Sequence, residues 1–204
     1  MKSYKKKTSY SKKNQYFVKN ILYLILIIVL IKYLSGFMYS RYYSVLPTLR
    51  VYPDNKTEID IIKEDFIEKR TKEDIDFFYL TDESVIYAFK NMVPMSLNSM
   101  QNIIFELKVI VVILFLKTII NRPRPIQIDN TLNILVSKSA NTAAYPSGHT
   151  IQAYYLAKKL SKQFPDKKEE LFNMAKKCGY ARIYAGLHYP SDNDFGKYIA
   201  LNIL

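Results

Sequence analysis

The sequence predicts an all-α protein. Apolar residues recur at helical spacing in several stretches, among them EIDIIKEDFIEK, NIIFELKVIVVILFLKTIIN and TIQAYYLAKKLSKQF. No stretch alternates apolar and polar residues as a half-buried strand does. Gly and Pro are scarce, five and eight in 204 residues, which argues against long disordered segments and a turn-rich all-β design. The length suits one domain with appendages, and 49% apolar residues are enough for a core.

The first element is set apart by charge. Residues 1–52 hold ten Lys/Arg and no Asp or Glu, whereas residues 53–204 hold the other 20 basic and all 18 acidic residues. Most of the net charge of +12 therefore lies in the N-terminal stretch, and the rest is close to neutral. A nucleic-acid-binding domain carries its excess on the folded body, so no nucleic-acid partner is expected. Behind Lys2, Lys5, Lys6, Lys7, Lys12, Lys13 and Lys19 comes ILYLILIIVLI, Ile21 to Ile31. From Tyr16 to Tyr39 the segment is long enough to span a bilayer, with Lys19 and Lys32 reaching toward the interfaces. The basic tail predicts a cytoplasmic N-terminus. The reading is a basic tail over residues 1–19, one transmembrane anchor over 20–39, a linker over 40–55 and a domain over 56–204. A cleaved signal peptide is the alternative, though the apolar run is long for one and no clean small-x-small site follows.

The later elements follow from breakers and caps. Residues 53–83 hold 11 of the 18 acids and fit short helices. TDESVIYAFKNM reads as a helix capped by Thr81 or Asp82 and ended by Pro94. Ser99 to Asn121 reads as one strongly apolar helix, and Glu106, Lys108 and Lys117 make it a buried core helix rather than a second span. RPRP, residues 122–125, stops it. Residues 126–143 read as loop. A helix starts at Ser147, another after Pro165, and DNDFGKYIALNIL is the last. The single cysteine, Cys178, excludes an intrachain disulfide and reads as a small apolar residue.

Against this background several polar residues stand out. The chain has only two histidines, the side chain whose charge changes most readily near neutral pH. His149 follows Pro146-Ser147-Gly148 at a helix start; His188 lies six residues after Arg182 and four before Asp192. Lys117 closes an apolar helix, and Arg124 follows seven residues on. Each type has a use around a phosphoryl group. Guanidinium forks and an ammonium bind its oxygens. A helix N-terminus presents free N–H groups, and glycine allows close approach. A histidine held by a carboxylate is a nucleophile, and a second one protonates the leaving oxygen. No Asp/Glu cluster is evident to hold a divalent ion, so protein cations must neutralise the charge. Taken singly each feature is ordinary, since Pro-Ser-Gly-His alone reads as a turn with a serine cap. The joint spacing is what carries the reading.

That spacing, Lys117-x6-Arg124-Pro125, Pro146-Ser147-Gly148-His149 and Arg182-x5-His188-x3-Asp192, resembles the three motifs of the type 2 phosphatidic acid phosphatase superfamily, in order. The group includes class A acid phosphatases, lipid phosphatases and vanadium haloperoxidases. The resemblance implies a helical bundle with the site at one end of its central helices, and hydrolysis without metal or cofactor. It implies that His188 is the nucleophile, Asp192 its orienting partner and His149 the general acid and then base. Lys117, Arg124, Ser147, Gly148 and Arg182 would hold the phosphoryl group. One departure is Ala181, where the family usually has serine before the arginine. The expected function is hydrolysis of phosphomonoesters through a phosphohistidine. Membrane phosphatidate or prenyl phosphates are the alternative substrates, and an inactive phosphate-binding relative or a vanadate-dependent haloperoxidase the further alternatives.

Overall fold

The structure, a computed structural model, describes residues 50–204 and, within the N-terminal stretch, Asn20, Tyr23, Leu24 and Ile27. Apart from those four positions, the expected tail and anchor, and the linker up to residue 49, lie outside the described residues. Among the described residues no helix is long and apolar enough to cross a membrane.

The described fold is all helical, without a strand. Helix α1, Asn55–Ile61, is capped by the Asp54 carboxylate on the amides of Lys56 and Thr57, and continues as a π-helical turn, Ile62–Ile67. Helix α2, Lys72–Thr81, starts at a reciprocal cap between Thr71 and Asp74. Here one expectation fails. Thr81 and Asp82 do not start a helix; Asp82 is still helical at the C-terminal end of α2 (φ −62°, ψ −43°), and only a short helix α3, Ile86–Phe89, follows. The Asp82 carboxylate is held instead by Arg182 and by Ser139, both far away in sequence.

The apolar segment is also two helices rather than one. Helix α4, Leu97–Ile104, and helix α5, Leu107–Ile120, are separated at Phe105 and Glu106. Glu106 leaves the helical region (φ −50°, ψ 135°). Its carboxylate accepts from the Tyr155 hydroxyl at 2.6 Å and pairs with Lys159 at 3.1 Å. That tertiary pairing overrides the local preference for a continuous helix. Asn121, left-handed at φ 47°, ends α5, a conformation Asn tolerates better than most residues. Residues 122–124 lead to α6, Pro125–Ile128. An irregular stretch then reaches α7, Gly148–Gln163. Helix α8, Lys168–Tyr184, follows a short 3₁₀ turn, and α9, Pro190–Tyr198, continues as a π-helical turn, Ile199–Ile203.

Helix α7 is the central rod. Its Ile151, Tyr155, Leu156 and Leu160 are fully buried, against Leu171, Ala175 and Cys178 of α8, Val109 of α5, and Phe89, Met100 and Ile199. Removing one such side chain, as in Leu156→Ala, costs about 2–5 kcal/mol. The start of α7 is gripped closely. A methyl on Gly196 of α9 would lie 3.0 Å from the Ser147 carbonyl and 3.2 Å from Thr150 Cβ. Glycine there lets α9 close onto the first turn of α7. Thr150 Oγ1, 2.7 Å from Asn193 Oδ1, fixes the same junction. The packing thus brings the N-termini of α7 and α9 and the C-terminal end of α5 to one end of the bundle.

Candidate active site

Residues 117–124 enter this end first. Asn121 turns the chain and Pro123 and Pro125 hold it extended, so Arg124 sits at φ −69°, ψ 154°. Lys117, Arg122 and Arg124 are all buried. Lys117 Nζ donates to the carbonyls of Ala143 and Ala144. Arg124 donates to the carbonyls of Thr142 at 2.9 Å and Leu187 at 2.7 Å.

His188 lies between Arg124 and Asp192. Arg124 Nη1 is 3.0 Å from His188 Nε2, and His188 Nδ1 is 2.9 Å from Asp192 Oδ2. A guanidinium only donates and a carboxylate only accepts, so the ring carries its proton on Nδ1 and a lone pair on Nε2. Asp192 is fixed from every side. Its Oδ2 also accepts from the Tyr189 amide at 3.0 Å, in the first turn of α9, where the helix dipole favours a carboxylate. Its Oδ1 accepts from Arg122 at 2.8 Å.

His149 is held differently. Its Nε2 is 2.9 Å from the Asp82 carbonyl; a carbonyl only accepts, so this ring carries its proton on Nε2. The Asp82 carboxylate pairs with Arg182 Nη1 at 2.8 Å and accepts from the Lys138 amide at 2.8 Å. Arg182 is 1% exposed, and its Nε has no hydrogen-bond partner among the described residues. Ser147 caps α7 and its amide donates to the Asp192 carbonyl at 3.0 Å, joining the second motif to the third. A methyl on Gly148 would be 3.5 Å from Ile113 and 3.7 Å from Lys117 Cε, ordinary contact. Neither packing nor backbone conformation demands glycine there.

The electrostatics follow from burial among cations. Burial and then Arg182 push His149 down to about 3. Burial and then Arg124, Lys117 and Arg182 push His188 well below the imidazole range. Burial and then Arg124 hold Lys117 well below its usual range. Both rings are therefore neutral near pH 7 in the ligand-free protein. For Asp82, burial pushes upward, but the hydroxyl of Ser137, Arg182 and the Lys138 amide outweigh it and hold the carboxyl down at about 2.

The structure brings the eight residues singled out by sequence into one cluster: His149, His188, Asp192, Lys117, Arg124, Ser147, Gly148 and Arg182. Arg182 pairs with Asp82. Three others are not evident from the sequence. Arg122 reads there only as part of a helix stop, although it repeats the Arg-Pro pattern of Arg124. Asp82 reads there as a helix cap. Glu58, 2.7 Å from Arg122, carries no local signal at all. Ala181 is buried beside Phe78, Ala140, Ala185 and Leu187, an apolar setting that a methyl suits. A cavity of about 540 Å³ opens beside Asp82, lined by Tyr79, Leu80, Tyr87, Val136, Glu83 and Lys138. Among the described residues no three His, Cys, Asp or Glu side chains cluster as metal ligands.

Non-specific acid phosphatases of Salmonella typhi and Salmonella typhimurium are each 39% identical over 56 residues, 28% of this chain. The matched stretch is 22% of the length of either relative. The family model described as the PAP2 superfamily matches residues 102–204, about half the chain and every one of the three motifs. The chain belongs to the PAP2 superfamily.

Proposed function

We propose that this protein is a metal-independent phosphatase that hydrolyses phosphomonoesters through a phosphohistidine on His188. The observation that carries the reading is the setting of His188. Its Nε2 holds a lone pair, Asp192 fixes the opposite side of the ring, and the buried cations Arg124, Lys117 and Arg182 act on it. Buried cations call for an anion. The Lys117 ammonium donates to the carbonyl oxygens of Ala143 and Ala144, and Arg182 Nε has no partner among the described residues. A phosphoryl group supplies oxygens to both, and to the free amides at the start of α7.

In the first step His188 Nε2 gives its lone pair to phosphorus. The P–O bond to the alcohol breaks, and the departing oxygen takes a proton from His149. In the second step water attacks phosphorus and gives a proton back to His149. The P–N bond breaks, releasing inorganic phosphate and neutral His188. His149 must be an imidazolium for the first step. A bound phosphate dianion opposes the field of Arg182 and Arg124, which lets the ring take up the second proton in the complex.

A second reading concerns the alcohol. The cavity at Asp82 is mostly aromatic and aliphatic, which favours an apolar substrate such as a lipid phosphate. An anchor over residues 20–39 would hold the site near such substrates, with the domain on the non-cytoplasmic side. The test is phosphate release from p-nitrophenyl phosphate and from short-chain phosphatidate, with EDTA present, by wild type and His188→Ala. Release that survives EDTA and vanishes in the variant supports the reading, and the ratio of rates assigns the substrate. No release from either by folded wild type between about pH 4 and 8 rejects it.

A further inference from the structure

We infer that Arg122 and Glu58 are positioning residues for His188, acting through Asp192; the inference rests on the phosphatase reading. Arg122 is wholly buried and spends its fork on four partners. Its Nε donates to Asn55 Oδ1 at 2.9 Å and its Nη2 to Glu58 Oε2 at 2.7 Å. Its Nη1 meets Ser191 Oγ at 2.7 Å and Asp192 Oδ1 at 2.8 Å. The guanidinium lies over the ring of Tyr189, 3.6 Å from its centroid, with Tyr52 at 4.3 Å. Glu58, 5% exposed, closes the circuit by accepting from the Ser191 amide at 2.9 Å and its hydroxyl at 2.6 Å.

A simple structural ion pair needs only one carboxylate. Here one guanidinium stands between two, and the second is the group that orients the nucleophile. The line Glu58–Arg122–Asp192–His188 ties α1 to the first turn of α9. Arg122 takes up one oxygen of Asp192, leaving Oδ2 for His188 Nδ1–H and the Tyr189 amide. That fixes the carboxylate plane and thereby the direction of the Nε2 lone pair. It also keeps the charge on Asp192 from being wholly available to His188, so the ring stays unprotonated on Nε2. Glu58 sets Arg122 in place and lies outside the residues matched by the family model. Neither residue touches the phosphoryl group in this scheme.

The full chain with Arg122→Lys, Glu58→Gln, or Glu58→Gln together with Arg122→Gln tests this. Lysine keeps the charge but lacks the fork. The double variant removes both charges, so it avoids stranding Glu58 without its partner. The expected result for Arg122→Lys and the double variant is a fall in kcat of about 10- to 100-fold, the range for outer partners of metal-bound histidines. KM for p-nitrophenyl phosphate should stay within about threefold of wild type. In the double variant the limb of the pH–rate profile that reports protonation of His188 should also move to higher pH, because Asp192 loses its counter-charge; in Arg122→Lys, which keeps that charge, it should move less. Glu58→Gln should show the same fall in kcat more weakly, without the shift of the limb, since Arg122 keeps its charge beside Asp192. The nitrogen-bound proton of His188 Nδ1, read by NMR without substrate, should shift or exchange faster in all three. If wild type released no phosphate, the phosphatase reading would fall while the NMR comparison still tested the positioning role. Folded variants with wild-type kcat, pH profile and His188 resonance overturn the inference.

Discussion

Arg124 and His188 form a direct pair, guanidinium Nη1 to imidazole Nε2 at 3.0 Å. The atom expected to attack phosphorus is therefore occupied in the ligand-free protein, by a group expected to bind the phosphoryl oxygens. Binding substrate has to transfer the Arg124 donor from nitrogen to oxygen. One residue then serves two states: it keeps Nε2 unprotonated before binding and stabilises the phosphoryl charge after it. Arg124→Ala should lower kcat/KM by about 10²–10³, the usual loss on removing one preorganised donor. Arg124→Lys should recover little, because an ammonium cannot hold the Thr142 and Leu187 carbonyls and the phosphoryl group together. Steady-state kinetics against inorganic phosphate release measures both.

Stability should fall on acidification. His149 is held at about 3 against an ordinary value of 6.5, and His188 is shifted in the same direction. Below pH 6.5 the unfolded chain binds protons that the folded chain refuses. Their contribution is thus complete above about pH 6.5 and is lost as pH drops through the window below it. Each histidine costs about 1.4 kcal/mol per pH unit there. Asp82 adds loss only lower, between its ordinary 3.8 and about 2. Urea melts from about pH 8 down to 4 should show this slope, and His149→Ala should flatten it. Orthovanadate should raise Tm most at the acidic end, since it lets His149 hold a second proton.

Gly148→Ala should separate fold from function. The methyl meets Ile113 and Lys117 only at ordinary contact distance, so stability should be unchanged or raised by up to about 1 kcal/mol. The same methyl would project where a phosphoryl oxygen meets the α7 amides, and kcat/KM should fall at least about tenfold. A thermal melt beside a rate measurement decides it; parallel losses of Tm and rate would mean that glycine serves the fold.

Cys178 should be inert in the folded protein. It is 1% exposed, and burial pushes its thiol up to about 12. A thiol-directed reagent should label it only at the rate of unfolding, so that labelling and urea denaturation coincide.

The all-helical class was legible because helix periodicity and caps are local properties of the chain. The eight candidate residues were legible as a group because three short motifs hold them at fixed spacing. What escaped was set by partners remote in sequence. Glu106 breaks an apolar run because Tyr155 and Lys159 hold it. Asp82 has every mark of a helix cap, yet Arg182, a hundred residues on, claims its carboxylate. Arg122 reads as punctuation ahead of Pro123, because nothing near it announces Glu58 or the oxygen of Asp192 left for it.

The most direct test is to trap the intermediate with His149→Ala and p-nitrophenyl phosphate. Nitrophenolate needs little help to leave, so the first step should survive, whereas the attack of water has lost its base. The account predicts a burst of about one nitrophenolate per site, with one phosphoryl group found by mass spectrometry on His188 after alkaline quench. A folded variant that releases nitrophenolate with no burst and carries no phosphoryl group on His188 would contradict it.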